Sequence, residues 1–261
     1  MFSDKPRCIY EKNSLAEVIC QLRFPEILSI STTPPADFQE LIRDRFPQYT
    51  VRQEMAPPKL SPMPQNTPLA PQTRTPNYQF SSADGVWRIN LTSKFISLTC
   101  NQYTRWEEFA KQLDRPLAAF IKVYHPAYFE RVGLRYLNFI SRNDLSLSGT
   151  PFSELIEPCY LGPLAEEDVL EQRTSRCSVD AELAIHQDCR VKIHAGPGMV
   201  KRNGRPDQEL KFIFDQDLFM AKQLPVNLSA AALESLHAQA YSIFRGAITT
   251  TLHNAMEPTR P

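Results

Sequence analysis

The feature that most constrains this chain is a hydrophobic pattern with a period of two, repeated along most of its length. In "EVICQLRF" (17–24), Val18, Cys20, Leu22 and Phe24 share one face, opposite Glu17, Gln21 and Arg23. Such alternation sets one side of a strand against a core and the other towards water. It recurs in "YTVRQ" (49–53), "YQFSS" (78–82), "VWRINLT" (86–92), "FISLTC" (95–100) and "RVGLRYLNFI" (131–140). It returns in "CSVDAELAIH" (177–186), "CRVKIHA" (189–195) and "ELKFIFD" (209–215). Asp84-Gly85 between two alternating runs predicts a tight hairpin of type I′, which needs positive φ at both central residues.

Helical spacing interrupts the strands in only a few places. In "TPPADFQELIRDRFP" (33–47), Thr33 is placed to cap, and Phe38, Leu41, Ile42 and Phe46 make one face. In "TRWEEFAKQLDRPLAAFIKVY" (104–124), Thr104 and Glu107 have capping-box spacing. The core stripe there is Trp106, Phe109, Leu113, Leu117, Phe120 and Ile121, and Pro116 predicts a kink or break near residue 115. A short helix is expected in "FSELIEP" (152–158), and a long one from Ser229 to about Met256. Residues 55–77, with seven prolines from Met55 to Pro76, read as an extended surface loop, and "GPGMVKRNGRP" (196–206) as a flexible basic one.

Strands that do not alternate one-for-one with helices predict an α+β fold, with antiparallel sheets packed against helices and a long C-terminal helix. Helix-closed strand groups in both halves suggest two similar lobes. They would be an N-terminal one over 1–141 and a C-terminal one over 142–261.

Among 261 residues, 29 are Lys or Arg and 29 Asp or Glu, a balance that argues against general nucleic-acid or membrane-surface binding. No run of about 18 apolar residues is present, so no membrane span is expected. "MFSDKPRCIYEKNS" lacks an apolar core segment, so we expect no secretory signal and a cytoplasmic chain. The six cysteines are scattered without C-x-x-C spacing, which reads as reduced thiols rather than a metal site. No cofactor is expected: the chain has neither a P-loop nor a dinucleotide fingerprint, and no G-x-S-x-G elbow.

Three constellations remain. His186 and His194 lie at neighbouring strand ends, without a third ligand. Asp180, with Glu209 and Lys211 in an E-x-K pattern, has the residue types of a metal-dependent nuclease or phosphodiesterase: two carboxylates for a divalent ion and a lysine for developing charge. Arg131 and Arg135 share one strand face with Gly133 between them, a placement that would admit an anionic ligand or partner. Arg23 and Arg88 would extend that patch if their strands are neighbours. Asn138, on the opposite face with Leu134 and Tyr136, is expected to be buried and hydrogen-bonded.

"YEKNSLAEVICQLRF" (10–24), "WEEFAKQL" (106–113), "RVGLRYLNFI" (131–140) and "LHAQAYSIFRGAIT" (236–249) resemble the landmarks of a sporadically distributed bacterial protein family of similar length with no assigned activity. Arg135, Tyr136 and Asn138 are the shared polar positions, and Ser14 stands where that family usually has proline. The resemblance implies no catalytic residues. It implies an accessory role, such as a mobile-element or phage-defence module acting with another protein. The expectation is therefore a non-enzymatic binding protein, a partner or sensor subunit. The alternative is the metal-dependent phosphodiesterase or nuclease.

Overall fold

The structure, a computed structural model, describes residues 1–55, 74–185, 188–202 and 205–260. The strands are β1 (Ile9–Tyr10), β2 (Leu15–Arg23), β3 (Gln48–Met55), β4 (Arg74–Ser81), β5 (Trp87–Leu91), β6 (Phe95–Cys100), β7 (Arg131–Ile140), β8 (Val179–Ala184), β9 (Cys189–Arg202), β10 (Arg205–Met220) and β11 (Pro258–Thr259). The helices are α1 (Leu28–Thr32), α2 (Ala36–Ile42), α3 (Trp106–Tyr124), α4 (Ser229–Ala247) and α5 (Thr250–Ala255). Among the described residues, nine strands form one sheet in the order β3-β4-β5-β6-β2-β7-β10-β9-β8, and β1 pairs with β11 apart from it. Every neighbouring pair is antiparallel. The fold is α+β and mostly sheet.

The register carries the alternation across the sheet, so that one face is predominantly apolar. Ile89, Leu98, Cys20, Leu134, Leu218 and Val191 follow one another across six strands of that inner face, all buried. The helices pack on the same face. Phe38 of α2 meets Phe80 at 5.4 Å, Phe120 of α3 meets Phe24 at 4.6 Å, and Phe244 of α4 meets Phe214 at 6.1 Å. The β7–β10 ladder joins strands from before and after residue 141.

Several local expectations are corrected. The terminal helix is two helices, because the segment 155–157 competes for its backbone. Glu157 N donates to Ala247 O at 2.9 Å, Thr249 N donates to Leu155 O at 3.0 Å, and Ile248 turns extended to bridge Ile156. Thr249 then caps α5 by accepting from Leu252 N. Helix α3 runs through Pro116 unbroken and starts after Arg105, with no side-chain cap. Glu107 does not close a capping box, since it is held by Arg7 and Arg105. The 82–86 hairpin loop has positive φ only at Gly85, and Asp84 Oδ1 accepts from Val86 N at 3.0 Å, so the turn is an Asx-type loop and not a two-residue one. Residues 196–202 and 205–206 continue β9 and β10 instead of looping. Of the proline-rich segment, residue 55 and residues 74–77 belong to the β3–β4 ladder; 56–73 lie outside the described residues.

Trp106 opens α3 at 4% exposure, with Nε1 donating to Glu234 Oε1 at 2.7 Å. Trp106→Ala should cost about 3–5 kcal/mol in a urea titration, as large buried aromatics do. A loss below about 1 kcal/mol would place the ring outside the core.

Candidate functional site

Arg131 and Arg135 lie, as expected, on the outer face of β7, with Asp217 facing Arg135 across the ladder and Asp215 facing Leu137. Each guanidinium leans along the strand to a carboxylate beyond its own level. Arg131 Nη2 donates to both oxygens of Asp217 at 2.7 and 2.8 Å, and Arg135 donates to Asp215 at 2.8 and 2.5 Å. The Arg131 guanidinium also stacks over Phe219 at 4.7 Å. Gly133 permits this, because a Cβ there would fall 2.3 Å from Arg131 Nη1. The space above the glycine is thus filled by arginine. Arg23 is directly opposite Arg131 on β2. Arg88 sits three strands from β7, within 3.6 Å of Glu17.

Asp180, Glu209 and Lys211 are not brought together. Asp180 is level with His194 and Asp215, two strands or roughly 10 Å from β10, and Lys211 is four residues further along β10, roughly 13 Å. Each has its own partner. His194 Nδ1 lies 2.7 Å from Asp180, Lys211 binds Asp207 at 2.8 Å, and Glu209 accepts from Ser141 Oγ at 2.6 Å and Asn143 N at 3.0 Å. The hydrogen bond with His194 holds the Asp180 carboxyl below its ordinary range. Among the described residues, no group of three or more His, Cys, Asp and Glu is placed to hold a metal. His186 lies outside the described residues.

A cavity of about 90 Å³ lies between the sheet's inner face and α4. The N-terminal strap, residues 7–15, forms one wall of it. Strap and helix are tied together where Tyr241 Oη meets the strap backbone, accepting from Cys8 N at 3.2 Å and donating to Pro6 O at 2.9 Å. Three polar residues of the inner face and α4 meet there: Asn138, Gln216 and His237. Asn138 is buried and hydrogen-bonded, as expected from the sequence. Its Oδ1 accepts from Ser14 Oγ at 2.9 Å and its Nδ2 donates to Phe214 O at 3.2 Å. Gln216 stands directly opposite Tyr136, whose hydroxyl lies 2.8 Å from His237 Nδ1. His237 stacks on Trp106 at 4.7 Å, nearly parallel. Burial first, and then the Arg7 charge, lowers its pKa to about 4, so the imidazole is neutral at neutral pH. Gln216 Oε1 and His237 Nε2 are buried without a hydrogen-bond partner. The sequence signal for this site was a glutamine at a core-facing position between Phe214 and Leu218, and a histidine within the apolar stripe of α4.

No family model matches the chain, and no curated protein matches it. Roles for these residues therefore rest on their geometry.

In the pairing of Arg131 with Asp217, Nη2 alone reaches both carboxylate oxygens, and the pair is more than half buried, with the two side chains 18% and 29% exposed. A double-mutant cycle of Arg131→Gln and Asp217→Asn, read by chemical denaturation, should return a coupling of about 1–3 kcal/mol. Gly133→Ala should remove a comparable share by displacing the guanidinium. A coupling below about 0.5 kcal/mol would make the pair a solvated contact.

Proposed function

We propose that the chain is a non-enzymatic binding protein that docks a partner protein on the sheet face its helices leave open. The observation that carries this reading is the apolar content of that face. Ile19, Leu137, Phe139 and Ile213 are only partly buried, belong to no part of the main core, and neighbour one another through the β2–β7 and β7–β10 ladders. They lie beside Arg131 and Arg135, whose charges are already matched by Asp217 and Asp215. An apolar centre beside arginines is the composition of protein interfaces. Internally matched charge fits a protein surface better than a polyanion, which needs unspent cations. The family resemblance supports the finer reading, a partner or sensor subunit of a bacterial accessory system, with phage defence among such systems. The alternative reading as a metal-dependent phosphodiesterase or nuclease loses its support with the separation of Asp180 from Glu209 and Lys211.

Tagged chain expressed in its host should retain one protein in near-stoichiometric amount. The Leu137→Ser/Phe139→Ser variant, with unchanged circular dichroism, should retain it at least tenfold less, since central apolar contacts each contribute about 1–2 kcal/mol or more. Equal retention by the variant would contradict the reading, as would nucleic acid as the retained species.

A further inference from the structure

The cavity behind the N-terminal strap has a chemistry independent of the open sheet face. Its interior is aromatic and uncharged. Tyr103, Tyr136 and Phe244 line it, and Tyr103 and Tyr136 meet edge-on at 5.9 Å. The charged lining residues are Arg7 and Arg105, which are 29% and 41% exposed and share the Glu107 carboxylate. Charge is therefore confined to the more exposed part of the lining, where two guanidiniums share one carboxylate. The buried part offers hydrogen bonds instead. Nδ1 of the neutral His237 ring shares a hydrogen bond with Tyr136 Oη, which leaves Nε2 as the ring nitrogen with an unused hydrogen-bonding position. His237 Nε2 and Gln216 Oε1 are thus both spare, on residues linked through Tyr136: Gln216 faces it across the ladder, and His237 binds its hydroxyl. Buried groups of this kind carry a desolvation cost until they are paired.

We propose that this cavity binds a small, uncharged, planar nitrogen heterocycle of the nucleobase type, whose edge donates to Gln216 Oε1 and hydrogen-bonds His237 Nε2. The space exceeds what a single water needs and suits one ring system. A sugar or phosphate attached to the base would lie towards Arg7 and Arg105. An apolar ring without such an edge would leave both buried groups unpaired.

The test is calorimetric titration of the full chain with adenine, AMP and toluene at neutral pH, together with the imidazole nitrogen resonances of His237. Adenine should bind at least tenfold more tightly than toluene and shift the His237 Nε2 resonance. AMP binding more tightly than adenine would identify a nucleotide, and equal binding a free base. Gln216→Met, which keeps length and removes the acceptor, should weaken adenine at least tenfold. Ala240→Met, which fills the cavity from α4, should abolish binding. The resonance shift is read on the unmutated chain, so a variant that fails to fold does not leave the question open. No binding of adenine or AMP up to their solubility limits would overturn the proposal and leave a cavity for water only. Adenine and toluene binding equally would overturn it too, as would binding that persists in folded Ala240→Met.

Discussion

The pairing of β7 with β10 is the interaction on which the rest of this structure depends. Nine register pairs, from Phe212–Ile140 to Met220–Val132, hold together two strands far apart in the chain. Ordering so long an intervening segment costs conformational entropy that only extensive burial offsets. Both faces of the ladder provide it. On the inside, Leu134, Ile140, Phe212, Phe214 and Leu218 are fully or almost fully buried. On the outside, Arg131 and Arg135 close onto Asp217 and Asp215. The ladder thus sets the core, the ion-paired face and the floor of the cavity together.

That arrangement also divides the molecule's chemistry. The arginines of β7 are committed to carboxylates one strand away, so what the open face adds is shape and apolar surface more than charge. The inner face is apolar except where Asn138 and Gln216 interrupt it, and these two differ in kind. Asn138 joins the strap to β10 through Ser14 and the Phe214 carbonyl, which is a structural role. Gln216 Oε1 has no hydrogen-bond partner, a property it shares among the described residues with His237 Nε2, Arg88 Nε and Asn90 Oδ1; of these, Gln216 and His237 line the cavity. Natural interiors hold few such groups, and each calls for a physical explanation.

The sequence made the strands legible because their pattern is local: alternate residues of one segment face one way whatever lies beside them. It made the α+β class legible for the same reason. The division of the terminal helix at Ile248 was not legible, because it comes from the backbone of residues 155–157, which no periodicity in 229–256 records. Likewise, the face carrying Arg131 and Arg135 could be read, but not their partners. That required knowing that β10 lies beside β7 with Asp217 facing Arg135. The placement of Asp180, Glu209 and Lys211 turned on register too, since residues sharing one sheet face can lie far apart along it. The cavity was least legible of all. Its walls come from the strap, the segment 103–105, two strands and α4, and only Gln216 and His237 at core-facing positions hinted at it.

If the β7–β10 ladder is the central constraint, strands on both sides of residue 141 unfold as one cooperative unit. Native-state hydrogen exchange measures this directly. The amides of β2, β7 and β10 should share a single opening free energy, the highest in the chain and equal to that of global unfolding from denaturant titration. Two separate plateaus, one for strands before residue 141 and a different one for strands after it, would contradict the account and divide the chain into independent lobes.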